Sequence, residues 1–125
     1  MLVPNKPSIL IIDDDTSILQ VFQRIFQRRG YQVTVAAKGA EAIEQLSRSH
    51  FDVALIDFCL PDMEGTQLFP LIQKTSPSTI KIMLTGKVLK KELAQGADVL
   101  VGKPVNPECL LSIIDSKLKD RNIEI

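Results

Sequence analysis

Histidine and cysteine, the side chains that usually bind zinc, are scarce in this sequence. The chain has one histidine, His50, and two cysteines, Cys59 and Cys109, without the spacing of metal ligands. This scarcity argues against a Cys/His zinc site. Two thiols without a secretory signal indicate reduced cysteines in the cytoplasm. We interpret His50 as a surface residue near the end of a helix.

Long apolar runs and an excess of one charge are also absent. No apolar run approaches the roughly 20 residues that a membrane-spanning helix needs. The first eight residues, MLVPNKPS, are too polar for a signal peptide. Lys plus Arg and Asp plus Glu number 15 each, so the formal net charge is zero. We therefore expect a cytoplasmic protein that neither enters a membrane nor binds nucleic acid directly.

Short apolar runs instead alternate with amphipathic segments along the whole chain. The pattern predicts strands at 8–12, 31–37, 51–57, 79–85 and 97–102. It predicts helices at 16–29, 39–49, 67–74 and 87–95, and a last helix that begins with Asn106 as its cap. Strands separated by helices indicate an α/β fold, a doubly wound parallel sheet covered on both faces. We expect a flavodoxin-like three-layer sandwich with strand order 2-1-3-4-5, formed as one domain over 1–125 with its core at about 8–118.

Carboxylates end two of the predicted strands. Asp13, Asp14 and Asp15 follow the first strand, and Asp57 ends the third. These strands are neighbours in the expected order, about 4.8 Å apart, so Asp13, Asp14 and Asp57 should meet in one cleft. Their mutual repulsion indicates a hard divalent cation, Mg²⁺, among them. For the triplet alone, a solvated turn in which Asp15 or Thr16 caps the next helix is the better explanation, and it is the addition of Asp57 at a matched strand end that favours the metal site.

A hydroxyl and an ammonium end the fourth and fifth strands, at Thr85 and Lys103. Together with Mg²⁺ and a carboxylate they would form a site for phosphoryl transfer. Asp57 would be the nucleophile and would form an acyl phosphate. Taken singly, Thr85 is an ordinary strand end and Lys103 an ordinary loop charge, so the joint placement carries the prediction.

The segments ILIIDDD, DVALIDFCLPDMEG, IMLTG and GADVLVGKP, in this order, resemble the receiver domain of two-component response regulators of the chemotaxis-regulator type. The resemblance extends from Ser8 to Leu118. It implies Asp57 as phosphoacceptor, Thr85 and Lys103 as groups that stabilise the phosphoryl group, and a cis bond between Lys103 and Pro104. It also implies Mg²⁺ as cofactor, held by Asp13, Asp14, Asp57 and the backbone carbonyl of Cys59.

The resemblance further implies a signalling phosphoprotein that catalyses only its own phosphorylation and dephosphorylation. The phosphoryl group would come from a histidine kinase or a phosphotransfer protein. Signalling would use the face made by the last strand and its flanking helices, towards an output partner or domain that the sequence does not identify.

Two features depart from the family pattern. Leu100 stands three residues before Lys103, where the family usually has Tyr or Phe, so the usual aromatic switch is missing. The segment between Thr85 and Lys103 is also short for the family, which predicts an altered output face. Cys59 and Lys87 flank the phosphoryl site in the family, and we hypothesise that Lys87 alters the lifetime of the phosphoryl group. The alternative is that Lys87 belongs to a solvated helix face.

Three other interpretations remain open at the level of sequence. IIDDDTS also resembles the start of haloacid-dehalogenase phosphatases, with Asp13 as nucleophile and Asp15 as acid/base. The short chain and the lack of a second acidic cluster after Lys103 argue against it. A flavodoxin-type module would need a donor-rich loop after the first strand, where this chain has carboxylates. A degenerate receiver that only binds partners is the third. The intact acids, Thr85 and Lys103 argue against it, whereas Leu100 leaves it open.

Overall fold

The structure, a computed structural model, describes residues 6–86 and 96–123, with side chains as far as residue 120. Its five strands form one parallel sheet in the order β2-β1-β3-β4-β5. The strands are β1 (Ser8–Ile12), β2 (Gln32–Ala36), β3 (Val53–Asp57), β4 (Ile80–Thr85) and β5 (Val99–Gly102). The predicted fold class and strand order are therefore confirmed.

Helices cover both faces of this sheet. They are α1 (Thr16–Arg28), α2 (Gly39–Arg48), α3 (Phe69–Thr75), which follows a 3₁₀ turn (Gly65–Leu68), and α4 (Pro107–Ile123). The helix predicted at 87–95 lies outside the described residues. Pro70 lies in the first turn of α3, where a missing N–H costs nothing. Asn106 caps α4 as predicted, because its side chain accepts hydrogen bonds from the backbone of Glu108 and Cys109.

The core consists of two layers, one on each face of the sheet. On one face, Ile9, Ile11, Val53, Leu55 and Ile82 pack against Phe22 and Phe26 of α1 and against Leu110, Leu111 and Ile114 of α4. On the other, Leu10, Ile12, Ala54, Ile56 and Met83 pack against Ala42, Leu46, Phe69 and Ile72. Strands with apolar residues on both faces belong in the middle of such a sandwich. Within the described part of the chain, no helix is long and apolar enough to cross a membrane.

The bounds of β1 agree with the prediction, and those of the other four strands differ from it by one or two residues. The fifth strand begins at Val99 rather than at residue 97. The carboxylate of Asp98 accepts a hydrogen bond from the backbone N–H of Lys81 (2.7 Å), and its own N–H donates to the Lys81 carbonyl. A side chain thus replaces one backbone partner at this end of the sheet, an exchange typical of aspartate.

Candidate functional site

The acidic residues meet at the carboxyl edge of the sheet. Ile12 of β1 pairs with Ile56 of β3, so the residues that follow, Asp13 and Asp57, lie side by side. One carboxylate oxygen each from Asp13, Asp14 and Asp57 lies within 4.8 Å of the others. Asp13 and Asp57 are buried and Asp14 is exposed. This set of oxygens, open to solvent on one side, fits a divalent cation that keeps part of its water shell.

The three consecutive aspartates have separate roles. The Asp15 side chain caps α1, accepting hydrogen bonds from the backbone N–H of Ser17 (2.9 Å) and Ile18 (3.4 Å). Asp13 accepts one from the backbone N–H of Asp15 (2.9 Å). The capping explanation is therefore correct for Asp15, whereas Asp13 and Asp14 belong to the acidic cluster.

Lys103 joins the two buried carboxylates. Its Nζ lies 2.9 Å from Oδ2 of Asp13 and 3.2 Å from Oδ1 of Asp57. Burial alone would lower the pKa of Lys103, but its hydrogen bond to Asp13 and the charges of Asp13 and Asp57 raise it above the ordinary value. The ammonium thus stays charged. The bond between Lys103 and Pro104 is cis, as the family resemblance implies.

The positive charge of Lys103 does not balance the negative charge of this cluster. Burial, and next the charge of Asp13, raise the pKa of Asp57 above its ordinary value, although Lys103 acts in the opposite direction. Among the residues that the structure describes, three carboxylates face one ammonium, and a bound cation would neutralise the excess negative charge at Asp57. The chemistry of the donor set therefore fits Mg²⁺.

A cleft of about 400 Å³ opens above these residues. It is lined by Asp14, Asp57, Phe58, Cys59, Thr85, Gly86 and Lys103. The structure therefore brings Thr85, Lys103 and Cys59 to the acidic cluster. Lys87 lies outside the described residues, and Leu100, in β5, does not line the cleft and is 45% exposed.

The chain matches the sequence model of the response regulator receiver domain over residues 9–115. It belongs to the response regulator receiver domain family. Receiver domains act in two-component signal transduction with histidine kinases or phosphotransfer proteins, and they bind Mg²⁺ at an acidic pocket. Phosphoryl transfer is the general mechanism of this signalling family.

Similar proteins support this membership. The structure of a CheY-like receiver domain protein from Methanospirillum hungatei JF-1 is 40% identical, with a TM-score of 0.89 over 96% of this chain and 99% of that one. The transcriptional regulatory protein GlrR of Escherichia coli is 34% identical over 92% of this chain and 27% of its own length. Response regulator SaeR of Staphylococcus aureus is 32% identical over 88% of this chain and 50% of its own. The chain thus spans between a quarter and a half of these two regulators.

Membership in the receiver family argues against the phosphatase alternative, and so do the two residues on which it depends. Asp13 is fully buried, and its two oxygens are engaged by Lys103 and by the backbone of Asp15. Asp15 caps α1 and is unavailable as an acid/base. Neither residue of this receiver domain is placed as that chemistry requires.

Gly65 has a role in the site that sequence analysis missed. Its N–H donates a hydrogen bond to the carbonyl of Phe58 (2.7 Å). A Cβ at this position would lie 2.2 Å from the carbonyl oxygen of Asp57. Only glycine allows the loop to return so close to Asp57. The signal available in the sequence is its place at the end of DFCLPDMEG.

Proposed function

We propose that this receiver domain accepts a phosphoryl group on Asp57 in a Mg²⁺-dependent step. The observation that carries the proposal is the contact of Asp57 with Lys103 (3.2 Å) inside a cluster with Asp13 and Asp14. Thr85 lines the same cleft. A nucleophilic carboxylate, a cation and a hydroxyl around one open space are the components of phosphoryl transfer.

Asp13, Asp14, Asp57 and the backbone carbonyl of Cys59 would hold the ion. Bound there, Mg²⁺ supplies positive charge to the carboxylates and the incoming phosphoryl oxygens. An Asp57 carboxylate oxygen forms a bond to phosphorus as the bond between phosphorus and the donor breaks, and the donor leaves with that electron pair.

Lys103 and Thr85 would stabilise the product. In the structure Lys103 bridges Asp13 and Asp57, and it can retain Asp13 while it turns to a phosphoryl oxygen. The hydroxyl of Thr85 would donate to a second oxygen. Both contacts become stronger as charge develops on the phosphoryl group, and such contacts accelerate transfer.

The donor would be a histidine kinase or a phosphotransfer protein in the cytoplasm. The signal would leave through an altered face around β5, where Leu100 is half-exposed. Because Leu100 has no aromatic ring, it cannot act as the aromatic switch that responds to Thr85 in other receivers. The partner or domain that reads this face is not identified by the sequence. A degenerate receiver would keep this face and lack the phosphorylation.

Incubation with acetyl phosphate, with and without Mg²⁺, followed by intact mass spectrometry, tests the proposal. Wild type should gain one phosphoryl group only with Mg²⁺, and Asp57→Asn should gain none. Asp15→Asn is the matched control, because Asn caps a helix as well as Asp and the residue adjoins the cluster. The proposal would be contradicted if Asp57→Asn gained a phosphoryl group, or if folded wild type gained none. A degenerate receiver is expected to give the second result.

The role of Lys87 and Cys59 in dephosphorylation remains a hypothesis. Loss of the label over time should be compared between wild type and Lys87→Ala. Equal rates reject a role for Lys87 and favour the solvated helix face.

A further inference from the structure

A carboxylate from the loop after β3 caps α2 from far along the chain. Oδ1 of Asp62 accepts a hydrogen bond from the backbone N–H of Gly39 (2.8 Å), and Oδ2 accepts one from Ala40 (2.9 Å). Lys38, the residue at the N-cap position, makes no side-chain cap bond. The first N–H groups of a helix need such partners. Asp62 therefore supplies the cap that α2 lacks locally.

The loop that carries Asp62, residues 58–64, rests directly on α2. Within it, the N–H of Leu60 donates to the carbonyl of Met63 (3.1 Å). A Cβ on Gly39 would lie 2.3 Å from Sδ of Met63, which shows how closely the loop approaches the helix start. The loop is thus held by its own turn, by this close packing and by Asp62.

The same helix start is attached to the other side of the acidic cluster. The N–H of Asp13 donates to the carbonyl of Ala36 (3.0 Å), the last residue of β2. Ala36 precedes Gly39 by three residues, and Asp62 follows Asp57 by five. The Asp62 contact therefore closes a ring that connects the backbones of Asp13 and Asp57, the two buried acids of the cluster.

We propose that Asp62 is a positioning residue for the metal site: it holds the loop 58–64 against α2 and so fixes Cys59 in the cleft. The inference rests on the proposed function, in which the Cys59 carbonyl is a ligand of Mg²⁺. Cys59 lines the cleft and Asp62 does not. Loss of the Asp62 contact leaves the carboxylates in place and frees one ligand, so affinity for Mg²⁺ falls while the fold persists.

Titration of Mg²⁺ into wild type and variants, followed by backbone amide NMR shifts, tests this role. Asp62→Ala should weaken Mg²⁺ binding about tenfold, the lower end of what loss of an orienting residue costs. Asp62→Asn should weaken it less, because its amide keeps one acceptor oxygen. Tyr31→Phe is the matched control: it removes the hydrogen bond to Asp115 (2.6 Å), outside the cleft, and should leave Mg²⁺ affinity unchanged.

The amide shifts of Gly39 and Ala40 report independently that the contact is lost in the Asp62 variants. Mg²⁺ affinity equal to wild type in Asp62→Ala, with those amides shifted, would overturn the inference. Equally weakened Mg²⁺ binding in Tyr31→Phe would also overturn it, because the loss of affinity would then reflect a general loss of stability. A wild type without Mg²⁺ affinity would remove the proposed function and this inference with it.

Discussion

The ammonium of Lys103 lies 2.9 Å from the carboxylate of Asp13, which is fully buried. A buried charge that loses its partner is strongly destabilising, whereas removal of both partners costs much less. Asp13 therefore depends on Lys103 for stability before any ligand arrives.

Replacement of Lys103 by methionine should reveal this dependence. We expect Lys103→Met to lower the free energy of unfolding by about 3 kcal/mol at neutral pH without Mg²⁺. The double variant with Asp13→Asn should lose less than the sum of the two single variants, since no buried charge is left unpaired. Urea unfolding in the presence of a chelator measures all four proteins. Strict additivity would show that the pair is not coupled.

Asp57 should oppose folding at neutral pH. Its pKa is raised above the ordinary 3.8 by burial and by Asp13, so the folded state binds its proton more tightly than the unfolded state. Stability is therefore lost as pH rises from 3.8 through the folded value. We expect Asp57→Asn to be more stable than wild type by about 1 kcal/mol at pH 7 without Mg²⁺. The difference should vanish below pH 3.8, the ordinary pKa of the Asp57 side chain. Denaturant titrations of both proteins at pH 7 and at a pH below 3.8 would test this.

Mg²⁺ should stabilise the folded protein. At ten times its dissociation constant the ion should add about 1.4 kcal/mol to the free energy of unfolding. Asp14 is exposed, so Asp14→Asn should change stability by less than about 0.5 kcal/mol without the ion. The same variant should lose most of the Mg²⁺ effect. Thermal unfolding of wild type and Asp14→Asn, each with Mg²⁺ and with a chelator, measures this effect. If Mg²⁺ raised the unfolding temperature of Asp14→Asn as much as that of wild type, Asp14 would be excluded as a ligand.

Tyr31 should resist ionisation until the protein unfolds. Burial, and then its hydrogen bond to Asp115 (2.6 Å), raise the pKa of Tyr31 far above the ordinary 10.0. The raised pKa of Tyr31 contributes to the stability of the folded protein below pH 10.0. This contribution is lost as pH rises from there towards the pKa of Tyr31 in the folded state. Tyr31 is the only tyrosine, so tyrosinate absorbance reports on it alone. Absorbance and circular dichroism should change together in alkali, and ionisation of the folded protein would contradict the prediction.

Sequence patterns predict the architecture and the positions of most residues of the candidate site. Apolar runs without alternation predicted the buried strands, and the end of each run placed Asp57, Thr85 and Lys103 at one edge of the sheet. Asn106 was predicted as a cap because capping joins residues two or three apart. Such signals are local, and the parallel topology converts them into one site.

The sequence by itself therefore determined which strands form and which side chains their ends carry. Only the tertiary structure decided that Asp13 contacts Lys103, 90 residues further along the chain. It alone decided that Asp62 caps α2, across 22 and 23 residues. The physical reason is distance along the chain: periodicity and caps act over a few residues, whereas these hydrogen bonds and ion pairs form only after the sheet has brought remote loops together.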